Sequence, residues 1–308
     1  MRLRWLLVAG LAVLATAGCS VRKFAVNKVG DALASGGSTY ESDDDMELVG
    51  GALPFSLKLV ESLLAESPKH RGLLLTAASG FAEYGYAYVE EQADEEAGVS
   101  LERSTALRAR ARRLYLRAYR YGMRGLEAGY PGIGAAIADD PAAALARVKK
   151  RDVPLLYWTA AAHGLAISTS KDDPEMIAQL PEVEALIKRA SELNEGWNGG
   201  ALEEFLINVE SARSGVKAAD QQARMKTLFE RSEALSGGKR ASLYVSYAEK
   251  AMVPAQNQAQ FKALLNKALA IDPDREPQTR LANLIAQRRA RWRVGRIDEL
   301  FLEGDTAK

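Results

Sequence analysis

Residues 265–273 read Leu-Asn-Lys-Ala-Leu-Ala-Ile-Asp-Pro, the pattern of a helix that packs closely on a neighbouring helix and then ends. Leu265 is large and apolar, Ala268 three residues later is small, and Ile271 is apolar again. A small residue between bulky ones lets a second helix approach closely. The Asp-Pro pair that follows stops the helix, because proline cannot continue the backbone hydrogen bonds. The stretch therefore predicts one half of a helical hairpin.

The same spacing occurs at three earlier places in the chain. These are Tyr115, Ala118 and Tyr121; Ile187, Ala190 and Leu193; and Phe229, Ser232 and Leu235. The small members at 118, 190, 232 and 268 are 72, 42 and 36 residues apart, and the last two separations approach the tetratricopeptide period of about 34 residues. Strand signals are nearly absent. We predict an all-α fold, a tetratricopeptide-like helical hairpin array with no significant β-sheet; an irregular helical domain with coincidental spacings is the alternative.

The first nineteen residues have the pattern of a bacterial lipoprotein signal. Arg2 and Arg4 precede an apolar run over residues 5–15, and Thr-Ala-Gly then leads to Cys19, the only cysteine of the chain. The run is shorter than the roughly 20 residues that span a bilayer, as is typical of an export signal that is removed. We predict cleavage before Cys19 and lipidation of this residue. A free cysteine in the core of an ordinary N-terminal helix is the alternative.

These signals divide the chain into three parts. Residues 1–18 are predicted to be the signal peptide, and residues 19–45 a lipid-anchored segment and linker. Residues 46–308 are predicted to form a single all-helical domain of tetratricopeptide-like type. Ser20 is not the aspartate that tends to retain lipoproteins in the inner membrane. We therefore expect the protein on the periplasmic side of the outer membrane, with the inner membrane less favoured.

The composition argues against several classes of function. The 308 residues carry a formal net charge of +1, and a near-neutral chain is not a general binder of nucleic acid. With two histidines and one cysteine, we find no catalytic constellation and no metal-ligand spacing. We therefore predict a protein that is not an enzyme and needs no cofactor or metal. His163 lies between alanines, which favours a packed histidine over a ligand-binding one.

Two sets of side chains are candidates for contact with other molecules. The first is an arginine stripe that steps by three and four residues along one helix face: Arg110, Arg113, Arg117, Arg120 and Arg124. It has the chemistry to bind lipid phosphates, a carboxylate solute or an acidic partner. The favoured alternative is a solvated surface neutralised by the acidic residues at 90–96. A C-terminal run at 288–293 presents the same choice, and we expect that terminal helix to dock with its arginines outside.

The second set is aromatic. Helical hairpins that curl around a cavity need amphipathic side chains as a lining, and most of the aromatic residues are otherwise expected in the core. Together with His163, the candidates for a cavity or ligand lining are Tyr84, Tyr88, Tyr157, Trp158, Trp197 and Phe205. The sequence alone does not separate lining residues from core residues.

Taken together, the motifs resemble the T-component family of TRAP-type (tripartite ATP-independent periplasmic) transporters. The segments that carry the resemblance are 52–64 (ALPFSLKLVESLL), 73–81 (LLLTAASGF), 152–161 (DVPLLYWTAA), 170–174 (SKDDP) and 281–290 (LANLIAQRRA). They occur in order over roughly residues 25–303, which is nearly the whole mature chain.

The resemblance implies a periplasmic lipoprotein built from tetratricopeptide-like hairpins. It further implies a TRAP-type solute-binding protein as partner, assembly into trimers, and a channel or cavity for a small organic acid or an apolar ligand. We therefore expect a non-enzymatic component of a solute uptake system. The alternative is a generic tetratricopeptide scaffold lipoprotein for envelope or outer-membrane assembly.

Overall fold

A computed structural model describes residues 26–34, 38–170 and 172–302. Cys19 and the signal at 1–18 lie outside the described residues. The α-helices are residues 26–34 (α1), Ser38–Glu41 (α2), Met46–Glu66 (α3), Arg71–Tyr84 (α4), Glu91–Glu96 (α5), Leu101–Gly129 (α6), Ile133–Asp139 (α7), Pro141–Leu145 (α8), Val153–Ser168 (α9), Pro174–Ile177 (α10), Leu180–Asn194 (α11), Ala201–Ala212 (α12), Ala218–Ser236 (α13), Ala241–Tyr247 (α14), Gln258–Leu269 (α15), Arg280–Val294 (α16) and Ile297–Leu300 (α17).

Two further kinds of helical turn complete the described chain. Gly85–Glu90 and Ala248–Met252 are π-helical, and Lys150–Asp152, Trp197–Gly199, Pro273–Arg275 and Pro277–Thr279 are 3₁₀ turns. The described residues contain no β-strand, so the predicted all-α class is confirmed.

Aspartate side chains cap the α-helices α3, α8 and α10. The Asp45 side chain accepts hydrogen bonds from the backbone amides of Glu47 and Leu48 at the start of α3. Asp173 caps α10 in the same way, with Pro174 in its first turn. A cap of this kind satisfies amides that have no partner inside the helix, and proline is tolerated there because its missing N–H would have no acceptor.

Several neighbouring helices pack side by side, among them α3 with α4, α12 with α13 and α14 with α15. The central layer is α4, α6, α9 and α11, whose facing side chains include the fully buried Leu74, Leu126, Leu156 and Leu186. A second body of helices, α12 to α16, surrounds the buried Phe229, Phe261 and Leu265. Because neighbouring helices lie side by side, their apolar stripes face one another and form several buried clusters along the chain.

The four small residues of the spacing pattern are all fully buried: Ala118, Ala190, Ser232 and Ala268. Ser232 shows what a small residue does there. Its hydroxyl donates to the Gly200 carbonyl at 2.9 Å, and a Cβ at Gly200 would lie 2.9 Å from the Ser232 Cα. Gly200 also has a φ of +84°, a conformation that suits glycine. The pattern therefore marks close helix contacts, while the tetratricopeptide-like hairpin array stays a prediction.

Helix α3 is apolar on two faces. One face carries four buried side chains: Val49, Leu57, Val60 and Leu64. The other face carries three exposed apolar side chains: Leu48, Phe55 and Leu59. By length and composition α3 is apolar enough to cross a membrane, and 22% of its most apolar 18-residue stretch is buried. Three of its buried side chains, Leu57, Val60 and Leu64, belong to a cluster with residues of α4.

The chain closes on itself. Helix α16 returns to contact α2 and α3, and Arg280 donates to the Ser42 carbonyl at 3.0 Å. On the other side, α12 contacts α9 and α11 directly. The N-terminal helices and the C-terminal helices therefore meet at two separate places.

Candidate functional site

Four of the aromatic candidates lie together where α9 meets α12. The Tyr157 ring centroid is 4.6 Å from that of Trp197, 5.0 Å from that of Trp158 and 6.1 Å from that of Phe205. All four side chains are half-buried. They therefore cover the core at this junction and keep part of their ring surface in contact with solvent.

Gly164 on α9 makes room for this cluster. A Cβ at this position would lie 2.9 Å from the end of the Phe205 ring, which is closer than carbon atoms approach without displacement. The absence of a side chain lets Phe205 of α12 lie against α9, beside Tyr157. The cluster is thus positioned by one glycine together with the turn that begins at Trp197.

Tyr84 and Tyr88 form a separate pair. Their rings stack with centroids 5.7 Å apart, and the Tyr88 hydroxyl donates to the Met46 carbonyl at 2.9 Å. Gly50 leaves the space that the Tyr88 ring occupies beside α3, since a Cβ there would lie 2.5 Å from the ring. The pair therefore joins the first π-helical turn to the start of α3.

Glu83 of α4 is electrostatically coupled to one tyrosine of each aromatic group. It interacts electrostatically with Tyr88 and with Tyr157, and its side chain is reached by solvent. The surrounding protein and the nearby Glu41 nevertheless raise the pKa of its carboxyl to about 8. Desolvation by the surrounding protein favours the protonated form of a carboxyl, even though Glu83 is exposed to solvent.

Other side chains share this environment. Burial raises the pKa of the Tyr157 hydroxyl, near Glu204 and Arg240 of the C-terminal helices. Burial also raises the pKa of Tyr86, near Arg289 and Glu249, although Tyr86 is 38% exposed. We call the set Glu83, Tyr86, Tyr88, Tyr157 and Arg240 the inner surface. Arg240 is held there by Glu204, whose carboxylate accepts from its Nε at 2.9 Å.

A buried charge cluster closes the molecule beside the inner surface. Arg289 of α16 donates to Glu249 at 2.7 Å and 3.0 Å and to Asp94 of α5 at 3.2 Å. Arg293 also donates to Glu249, and Arg108 of α6 binds Asp94 at 2.7 Å. We call these five side chains the seam. They link α16 to the second π-helical turn, to α5 and to α6.

The seam corrects one expectation. The arginines at 288–293 were expected outside, but only 10% of the Arg289 side chain and 18% of that of Arg293 are exposed. Burial alone would raise the pKa of Glu249, but these two guanidinium groups lower it to about 2. Both arginines are therefore structural, because the carboxylates opposite them make burial tolerable.

His163 lies apart from both aromatic groups and is fully buried. Its ring stacks on Tyr119 with centroids 4.1 Å apart, and its Nε2 lies 2.9 Å from the Gln179 side-chain oxygen. Its Nδ1 lies 3.4 Å from a Glu182 carboxylate oxygen, which also accepts from the Tyr119 hydroxyl at 2.7 Å. Burial raises the pKa of Glu182, but the bonds to His163 and Tyr119 lower it overall. This histidine holds α9 against α6 and α11.

The arginine stripe lies on the outside of α6. Arg110, Arg113, Arg120 and Arg124 are exposed and Arg117 is half-buried. Four of the five arginines line a groove of about 500 Å³ together with Leu114 and Leu116: Arg110, Arg113, Arg117 and Arg120. Arg117 binds Glu61 of α3 at 2.6 Å. The structure therefore brings these residues together on one surface, as the helical spacing predicted.

The acidic residues at 90–96 do not neutralise this stripe. Their arginine partners are Arg103, Arg108, Arg288 and Arg289. Helix α5 and the turn before it point these carboxylates toward the seam and the start of α6, not toward residues 110–124. Among the described residues these carboxylates form no ion pair with the stripe, and a solvated surface stays the alternative to a contact surface.

The described residues hold no group of three histidine, cysteine, aspartate or glutamate side chains that could bind a metal ion. Sequence reasoning missed Glu83, Tyr86, Glu249 and Arg240. In the sequence these are ordinary polar positions on helices, and their charged or aromatic neighbours come from distant segments of the chain. The nearest signal was the tyrosine run at 84–88, which indicated a special segment without showing which carboxyl accompanies it.

Comparison with known proteins adds two findings. A family model described as TRAP transporter T-component matches residues 42–301. An uncharacterised protein of Treponema pallidum (strain Nichols) is 27% identical over 305 residues, which cover 93% of this chain and 94% of that protein.

Proposed function

This chain belongs to the TRAP transporter T-component family, and we propose that it binds the solute-binding protein of its TRAP system and offers that protein a small organic ligand. It is a component of a transporter system, and the family is not known for enzymes. The finer steps of partner binding and ligand transfer are our proposal. They draw support from the inner surface and from the aromatic cluster beside it.

The observation that carries the proposal is the chemistry of the inner surface. Aromatic rings from α9 and α12 offer apolar area, while tyrosine hydroxyls and Glu83 offer hydrogen bonds at the same place. With a pKa of about 8, the Glu83 carboxyl is mostly protonated at neutral pH and can donate a hydrogen bond to a ligand carboxylate. A mostly apolar surface with a few convergent polar groups suits a small amphipathic organic acid.

The same proposal includes the location of the protein. Lipidation at Cys19 would tether the chain to the periplasmic side of the outer membrane, near solute that enters there. Several acyl chains would make this attachment almost permanent, at about 0.8 kcal/mol for each buried CH₂ group. Assembly into trimers is part of the proposal as the family resemblance implies it.

The test uses the mature chain and the solute-binding protein of the same system. We expect the two proteins to co-purify, and we expect candidate organic acids to quench the fluorescence of Trp158 and Trp197. Changing Trp197→Phe should remove part of the quenched signal, while the matched change Trp292→Phe on α16 should leave the quenching unchanged. Failure of the two proteins to associate, with or without ligand, would contradict the proposal.

The ligand contact has its own readout. Because Glu83 donates only when protonated, binding of a carboxylate ligand should weaken as the pH rises through about 8. The Glu83→Gln variant keeps a neutral donor, so its affinity should stay constant over this range. The range from about pH 6 to about pH 9 brackets this pKa. A wild-type affinity that does not change over that range would exclude Glu83 from ligand binding.

A further inference from the structure

The outer face of α6 carries positive charge that the protein does not compensate. Within the described part of the chain, the arginines without a carboxylate partner on this face are Arg110, Arg113, Arg120 and Arg124. Other arginines of the same helix are paired, as Arg103 with Glu96 and Arg112 with Asp173 show. The unpaired arginines are therefore grouped on one face and not spread along the helix.

Aromatic rings hold three guanidinium groups of this face without using all their donors. Arg117 lies over the Phe81 ring at 4.8 Å, Arg124 over Tyr121 at 5.2 Å and Arg110 over Tyr84 at 5.7 Å. Stacking orients the planar guanidinium, and a side chain that is already ordered loses less entropy when a partner binds. Arg110 and Arg124 each donate to a single protein oxygen among the described residues, so their remaining N–H groups are available to oxygen acceptors of a partner.

The size of the face indicates an extended partner. From Arg110 to Arg124 is 14 helical steps, or about 21 Å at 1.5 Å per residue. The groove between the arginines measures about 500 Å³, far more than the roughly 30 Å³ that one water molecule takes up in liquid water. A single small anion would leave most of these donors unused. A row of carboxylates on a protein surface would engage several of them at once.

A protein surface fits this face better than a membrane does. Helices that lie on membranes place large apolar side chains among their basic residues. In α6, the only exposed large apolar side chain among the described residues is Leu101 at its first position, far from the arginines. We propose that the arginine face of α6 is the docking surface for an acidic face of the solute-binding protein. This inference rests on the proposed function above.

The experiment measures the association rate of the two proteins at low and at high salt, with one of them immobilised on a sensor surface. Opposite charges accelerate encounter, and salt screens this effect. We expect the wild-type association rate to fall steeply with salt. The pair Arg113→Glu and Arg120→Glu should lower the low-salt association rate by about tenfold or more, because both side chains are exposed and bind no described residue.

A matched pair controls for total charge. Arg275→Glu and Arg291→Glu change the net charge by the same amount at two exposed positions outside α6, and we expect an association rate close to that of the wild type. Equal loss in both pairs, or no loss in the α6 pair, would overturn the docking surface while leaving the proposed function intact. A wild-type chain that does not bind the solute-binding protein would overturn both.

A vesicle assay separates the partner from a lipid surface. We expect phosphatidylglycerol vesicles to bind the wild-type chain and the Arg113→Glu, Arg120→Glu pair equally when both lack the lipid anchor. If the pair lost vesicle binding and kept its association with the solute-binding protein, the surface would belong to a membrane and the inference would be wrong.

Discussion

Two arginine-rich segments look alike in the sequence, but their side chains have opposite environments in the structure. At the seam, Arg289 and Arg293 of α16 are buried against Glu249 and Asp94. On α6, Arg113 and Arg120 stand in solvent with no ion pair to a described residue. The difference arises from what faces each helix. Helix α16 meets several carboxylates of distant segments, whereas among the described residues the arginine stripe of α6 meets only Glu61, at Arg117. A charged run acquires its role from its neighbours in space.

The seam should be far more sensitive to mutation than the α6 face. Arg289→Ala leaves Glu249 and Asp94 with less compensation in a buried place, and removing one partner of a buried ion pair typically costs about 3–5 kcal/mol. We expect a loss of this size in the free energy of unfolding, measured by urea denaturation. The matched variant Arg113→Ala should change it by less than about 0.5 kcal/mol. Similar losses in both variants would contradict the comparison.

Acid should weaken the seam through Glu249. Its pKa is about 2 in the folded protein, below its ordinary value of 4.5, so the ionised form stabilises the fold above pH 4.5. This stabilisation is lost as the pH falls through about 2, and it amounts to about 3 kcal/mol. Denaturation over this pH range should show that Glu249→Gln lacks this part of the acid dependence. A parallel profile for wild type and variant would exclude Glu249 as its source.

The buried face of α6 should tolerate less change than its outer face. A Cβ at Gly122 would clash with Thr159 of α9, approaching the Thr159 Cα to 3.1 Å. We expect Gly122→Ala to lower the free energy of unfolding by about 1–3 kcal/mol. Adding Thr159→Ala should restore part of the loss, because it removes the hydroxyl nearest to the new methyl group. A stability unchanged by Gly122→Ala would mean that α6 and α9 are farther apart.

Glu83 of the inner surface extends the comparison to a carboxyl group. Two arginines lower the pKa of Glu249, whereas no arginine is paired with Glu83 among the described residues. Its pKa is about 8 in the folded protein and 4.5 ordinarily, so the folded protein holds this proton more tightly than the unfolded chain does. Stability should therefore fall as the pH rises from 4.5 to about 8 and then level off. Glu83→Gln should remove this fall, seen as a smaller decrease in Tm than in the wild type. The control Glu127→Gln, at an exposed site, should keep it.

The sequence predicted the local features well. Periodicity and caps located the helices, and the small residues at 118, 190, 232 and 268 proved to be buried contacts. The helical spacing placed five arginines on one face of α6. These features depend on residues a few positions apart, so they can be read from a single segment.

Features that depend on distant segments were missed. Arg289 meets Asp94 across 195 positions of sequence, and no local pattern indicates that pairing. Glu83 resembles an ordinary surface glutamate in the sequence, and the raised pKa of its carboxyl arises from desolvation and from Glu41, which lies more than 40 positions earlier. The cavity candidates divided for the same reason, with Tyr157 and Trp197 in one cluster, Tyr84 and Tyr88 in another, and His163 in a packed core.

The most direct test of the account is a calorimetric titration of the mature wild-type chain with the solute-binding protein of its system, at low and at high salt. The account predicts saturable binding that weakens strongly as salt is added, because the uncompensated arginines of α6 attract an acidic partner. Absence of binding at both salt concentrations, or an affinity that salt leaves unchanged, would contradict the account.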